Sequence, residues 1–130
     1  MAFGFGFNKQ KALSSAEKFV QQGKLQNAIA EYEKVLKADP KELTVANTIG
    51  DLYARLGQND KAVEAFDKVI RNYPTGDAIA EAYYQEGLSL QHLGQNDKAR
   101  EMWDTVIKKY PDSTPATLAK QKLTQIAKPE

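Results

Sequence analysis

A chain of 130 residues, 42% hydrophobic and 27% charged, has the composition and length of a single globular domain. Its 18 basic and 17 acidic residues leave a net charge of +1. That balance excludes the strongly basic face of a nucleic-acid binder and the polybasic segment of a membrane-surface protein, and the absence of cysteine excludes disulfides, thiolate nucleophiles and thiolate metal sites.

Residues 1–8 read as an apolar tail. Met1-Ala2-Phe3-Gly4-Phe5-Gly6-Phe7 is short, with neither a cationic start nor a cleavage site of small residues, so it is not read as a signal peptide. No apolar run reaches membrane-spanning length. As written the chain is expected to be cytoplasmic, or periplasmic if a leader was removed. Alternating aromatics on a soluble protein tend to find a surface to cover. Phe3, Phe5 and Phe7 are therefore expected on the open end of the first structural unit or on the groove of a neighbouring chain, with a frayed terminus as the competing expectation.

From residue 9 onward the chain repeats itself. Pro40, Pro74 and Pro111 stand 34 and 37 residues apart. The same two steps align Gly23 with Gly57 and Gly94, and Ala28 with Ala62 and Ala99. They also align Tyr32 with Phe66 and Trp103, and Val35 with Val69 and Val106. The hexapeptide Gly-Gln-Asn-Asp-Lys-Ala occurs at both 57–62 and 94–99.

Each unit reads as two helices. In the first helix of unit two, Ala46, Ile49, Gly50 and Tyr53 recur on one helical face. Gly57 ends it, because glycine accepts the left-handed conformation that a helix end often needs. Asn59 or Asp60 is expected to cap the next helix, which carries Ala62, Val63, Phe66, Val69 and Ile70 on one stripe. Asp39-Pro40, Tyr73-Pro74 and Tyr110-Pro111 close the units, since proline disfavours helix in the residue before it. The small residues Gly50, Gly87, Ala28, Ala62 and Ala99 let helix backbones approach, and the aromatic one turn beyond each alanine fills the space between units. After Pro111, Ser113 or Thr114 is expected to cap a last helix with Pro115 in its first turn. Ala116, Ala119, Leu123 and Ile126 form its apolar stripe, the cover that a repeat stack needs at its end.

A small residue, an aromatic and a closing proline at this period resemble the tetratricopeptide repeat family over about residues 9–113. The resemblance implies an all-α, right-handed solenoid of three helix-turn-helix units, at about 9–42, 43–76 and 80–113, with a capping helix at about 114–127. Departures fall at Ala12, Ala46 and Tyr83, where the family often has tryptophan, and at Ser15, Ile49 and Glu86, where it often has leucine. Glu86 is thus expected either to reach solvent or to be paired. The extra residues around Tyr73-Pro74-Thr75-Gly76 and the Tyr110-Pro111-Asp112-Ser113 closure are similar to the linkers of bacterial envelope repeat proteins. Examples are the Tol-Pal coordinator family and the outer-membrane assembly lipoprotein. That similarity implies a bacterial source.

No chemistry is legible. His92, the single histidine, lies at a helix end without a nucleophile or orienting partner, and suits the negative end of the helix dipole. Glu31, Glu33, Asp67 and Asp104 fall on solvated faces, and Gly4 and Gly6 lack the strand-helix context of a phosphate loop. No catalytic residue, metal ligand or cofactor is expected.

In a right-handed stack the first helices line the concave surface. The residues expected to face a ligand there include Leu13 and Glu17 from unit one, and Asn47, Thr48, Asp51 and Arg55 from unit two. Unit three contributes Glu81, Tyr84, Gln85 and Leu88. Chaperone-binding members of the family grip a C-terminal carboxylate with lysines, an arginine and asparagines. The matching places here hold Leu13, Glu17, Thr48, Glu81 and Gln85, so that clamp is absent. The expected function is a non-catalytic scaffold whose groove holds a protein or peptide segment with apolar side chains and some positive charge. Tyr84, Leu13 and Leu88 are the expected apolar contacts. The alternative is a structural module that joins like chains into a homo-oligomer.

Overall fold

The computed structural model describes residues 6–72 and 76–126, and all the regular structure in them is helical. Three helical hairpins stack in order: α1 (Lys9–Gln21) with α2 (Leu25–Ala38), α3 (Leu43–Arg55) with α4 (Asn59–Asn72), and α5 (Asp77–His92) with α6 (Asn96–Lys109). A seventh helix, α7 (Thr114–Gln125), packs on α5 and α6. Each first helix nests against the preceding hairpin, α3 on α2 and α5 on both α3 and α4, which gives the right-handed solenoid its layers.

The hairpin turns are copies of one another. Gly23, Gly57 and Gly94 take φ of 76°, 78° and 79°, a region open to glycine at little cost. That twist lets Lys24 N donate to Phe19 O at 2.8 Å, and lets Gln58 N and Gln95 N donate to Tyr53 O and Leu90 O at 2.9 Å. Helix then resumes two residues after the glycine. Asn59 and Asp60 therefore stand inside the first turn of α4 rather than capping it, and Asp60 faces the positive end of the helix. Gln95, at the matching cap position of α6, makes no side-chain cap bond. Side-chain caps appear where the chain enters from extended backbone. Asn8 Oδ1 accepts from Lys11 N at 3.0 Å, and Ser113 Oγ accepts from Ala116 N at 3.1 Å. Of the two expected caps of α7, Ser113 is the one used.

Packing follows the small-and-bulky pattern. Ala28, Ala62 and Ala99 are wholly buried, and so is Trp103, with Phe66 1% exposed. Gly50 presses on the Phe66 ring and Gly87 on the Trp103 indole. A Cβ on Gly87 would lie 2.3 Å from Trp103 Nε1, so only glycine permits this helix spacing. The indole N–H donates to Tyr84 O at 3.1 Å, which fixes the ring's orientation. The buried side chains form two clusters, one from unit one and α3, the other running from α4 to α7. Tyr53 packs against both.

The three residues inserted before unit three, read from sequence as part of a linker, become helix. α5 begins at Asp77 and has 16 residues where α1 and α3 have 13. Ile79 is buried, and Asn47 Nδ2 donates to Ala78 O at 2.8 Å, tying the added turn to α3. At the N-terminal end Phe7 is half-buried against the unit-one core, while Phe3 and Phe5 lie outside the described residues. Lys9 pairs with Glu42 and, at 3.5 Å, with Asp39, anchoring the start of α1 to the α2–α3 corner.

Candidate binding groove

Two hollows on the side of α1, α3 and α5 join into one groove. The first, about 270 Å³, lies between α1 and α3: Glu17, Val20 and Gln21 form one wall and Thr48, Asp51, Leu52 and Arg55 the other. Tyr32 of α2 closes its floor. The second, about 480 Å³, runs from Thr44, Asn47, Thr48 and Asp51 of α3 to Asp77, Ala78, Glu81 and Gln85 of α5. Thr48 and Asp51 belong to both hollows, so α3 is the shared ridge.

Helical spacing explains the ridge. Thr44, Thr48, Asp51 and Arg55 follow one another at three and four residues along α3 and form one stripe. The opposite face of α3, with Ile49 and Gly50, is committed to packing. Many polar groups of the groove are engaged locally. Arg55 Nε lies 3.1 Å from Asp51 Oδ2, Gln85 Nε2 donates to Glu81 Oε2 at 2.7 Å, and Thr48 Oγ1 donates to Thr44 O at 2.8 Å. Asn47 Oδ1 is enclosed without a hydrogen-bond partner.

The charge balance is negative. Glu17, Asp51, Asp77 and Glu81 line the groove against one cation, Arg55, and Asp51 already holds that cation. The field reaches the floor: burial, and then the nearby Glu17 carboxylate, raise the Tyr32 phenol above its ordinary pKa. Burial and Glu81 do the same to Tyr84.

Glu17, Asn47, Thr48, Asp51, Arg55, Glu81 and Gln85 thus line the groove that the sequence assigned them to. Leu13, Tyr84 and Leu88 are not among the side chains lining the two hollows. Tyr84 is 8% exposed, with its ring 6.5 Å from that of Trp103. Leu13 and Leu88 are half-buried and pack on the two core clusters. Apolar side chains bordering a packing stripe gain more by joining it than by facing water. His92 is exposed, with Nδ1 2.8 Å from Leu88 O, one turn back along its own helix. Sequence reasoning missed Tyr32, which enters from a second helix, and Asp77 and Ala78. The last two were signalled by the insertion, which is long enough for most of a helical turn.

The opposite, convex side carries two clefts between successive second helices. One, about 470 Å³ between α2 and α4, has Leu36, Ala46, Ile49 and Tyr53 among its lining. The other, about 420 Å³ between α4 and α6, has Glu86 on its floor. Glu86 is neither solvated nor paired, against both expectations: it is 4% exposed and its Oε1 has no hydrogen-bond partner. Burial, then the negative Asp67, push its pKa up to about 8, with Arg71 opposing. The pressure comes from packing. Position 86 falls on the α5 face held by α4 and α6, which leaves its side chain at the bottom of the cleft between them with little of its surface exposed.

Among the described residues no group of three or more acidic, histidine or cysteine side chains is placed to hold a metal ion. No helix among them is long and apolar enough to cross a membrane.

A tetratricopeptide repeat family model matches residues 13–77, and a second matches residues 81–113. No curated protein matches the sequence. Among solved structures, a tetratricopeptide repeat protein from Parabacteroides merdae is 25% identical with a TM-score of 0.73. The match covers 88% of this chain and 44% of that one, so the chain spans less than half of that relative. The first such domain of Spaghetti (RPAP3), bound to the HSP90 peptide SRMEEVD, is also 25% identical, with a TM-score of 0.69 and coverage of 94% and 97%. The N-terminal domain of stress-induced protein-1 from C. elegans shares the fold at 18% identity, with a TM-score of 0.74 and coverage of 87% and 92%.

Proposed function

The chain belongs to the tetratricopeptide repeat family, and from that premise we propose that it is a non-catalytic scaffold holding an extended protein segment along the α1–α3–α5 groove. Glu17, Asn47, Thr48, Asp51, Arg55, Glu81 and Gln85 are the contacts, joined by Asp77. The apolar contribution comes from half-buried Val20 in the lining, with Leu13 and Leu88, also half-buried, at its border; Tyr32, Leu52 and Tyr84 are buried and act as floor rather than contacts. The observation that carries the reading is the lining itself, four carboxylates against one committed guanidinium.

That charge selects the partner. A segment bearing lysine or arginine among apolar residues gains attraction along the whole groove. An acidic peptide such as the SRMEEVD bound by the Spaghetti domain meets repulsion at every carboxylate. Recognition is therefore expected to be cationic and internal to a chain, not directed at a terminal carboxylate.

Selection from a display library of random linear peptides, followed by titration of the enriched sequences, tests this. Enriched peptides should carry lysine or arginine between apolar residues. The double change Asp51→Lys with Glu81→Lys should weaken them roughly tenfold, an effect of about 1.4 kcal/mol. Enrichment of acidic sequences, or affinities indifferent to both substitutions, would refute the assignment.

A further inference from the structure

The convex cleft between α4 and α6 has a floor that its own fold does not explain. At the preceding junction the position equivalent to Glu86 is Ile49, which lines the corresponding cleft between α2 and α4. An apolar side chain therefore suits this place in the repeat, and the buried carboxylate at 86 costs folding free energy. Its Oε1 is enclosed without a hydrogen-bond partner, and the cation whose charge it feels, Arg71, is committed to Asp67.

The surroundings define what would complete the site. Asp60 and Asp67 stand on the α4 wall and Glu101 on the α6 wall, with Lys98 the cation in the lining. Val63, Leu90 and Met102 supply apolar surface beside Glu86. A methylene stem fits the apolar part and a cationic head meets the carboxylates, which is the division of a lysine or arginine side chain.

We propose that this cleft is a second docking site, taking a lysine or arginine side chain from an apolar segment of a partner protein, with Glu86 as its counterion. The bound cation supplies the hydrogen-bond donor that Oε1 lacks. The site is separate from the concave groove, because none of its lining residues faces that groove. A scaffold with both sites holds two segments on opposite faces.

A charged Glu86 binds the cation, whereas the empty cleft favours the neutral acid, so docking releases a proton. Asp60, Asp67 and Arg71 of α4 and Lys98 and Glu101 of α6 are the charged groups around it. Affinity should then rise as pH rises from 6 to 8, by up to about tenfold per unit.

The test uses n-butylammonium, which reproduces the lysine side chain, and neutral n-pentanol as control, followed by amide shifts of the full chain. Saturable shifts at Val63, Asp67, Leu90 and Met102 are expected for the amine alone. They should strengthen from pH 6 to 8 and disappear in Glu86→Gln, an isosteric change that preserves the fold. Equal shifts from pentanol, shifts scattered over the acidic surface, or amine binding that survives Glu86→Gln would overturn the proposal. None of these results bears on the concave groove, whose lining is untouched.

Discussion

Gly87→Ala is the sharpest probe of the packing between α5 and α6. The added Cβ would lie 2.3 Å from Trp103 Nε1, 2.7 Å from Cε2 and 2.8 Å from Cδ1. Non-bonded carbon contacts settle near 3.5–4.0 Å, so α5 and α6 must separate or the indole must turn. Turning sacrifices the bond from Nε1 to Tyr84 O. Overpacking costs about 1–3 kcal/mol, and a buried donor left without an acceptor adds about 1–3 kcal/mol. Alanine's helix propensity returns about 1 kcal/mol. The net loss is about 1–5 kcal/mol, centred on about 3 kcal/mol, from a total that for most domains is about 5–15 kcal/mol. Urea unfolding read by Trp103, the single tryptophan, should show the midpoint fall by about 1–2 M with unchanged slope. Gly50→Ala is the internal control. Its Cβ meets the Phe66 ring at 2.6 Å but threatens no polar bond there, so it should cost less. A Gly87→Ala protein as stable as wild type, or a larger loss at Gly50, would refute the reasoning.

Two further substitutions probe charge and capping. A carboxyl whose pKa is raised on folding binds its proton more tightly in the native state, so its penalty is absent at low pH and grows as pH rises. Glu86→Gln should therefore leave stability unchanged below the ordinary pKa of 4.5 and become progressively stabilising up to about pH 8. The gain at pH 7 should be about 3 kcal/mol; a difference that stays flat from pH 4 to 8 would contradict it. Ser113→Ala removes the cap bond of α7 and should cost about 1 kcal/mol. Amide exchange should quicken in α7 while α1 keeps its protection, and uniform acceleration in both would argue against a local cap.

The fold was legible because its determinants are local and recur. Glycine at each hairpin, alanine and an aromatic one turn apart, and proline at each closure appear three times in register. What a single period does not encode is context from a neighbouring unit. Asp77–Ile79 read as linker because no counterpart exists in units one and two, yet docking on α3 through Asn47 draws them into helix. Leu13, Tyr84 and Leu88 sit at the border between groove and core, where helical spacing alone does not assign a face. Glu86 was recognisable as an anomaly, but its burial depends on α4 and α6 closing around it.

Amide shift mapping of a selected cationic–apolar peptide on the full chain, repeated on Glu86→Gln, bears most directly on the groove. Binding along α1, α3 and α5 predicts the largest changes at Glu17, Thr48, Asp51, Asp77 and Glu81, retained in the variant. Changes confined to α2, α4 and α6, with Thr48 and Asp51 unmoved, would contradict it.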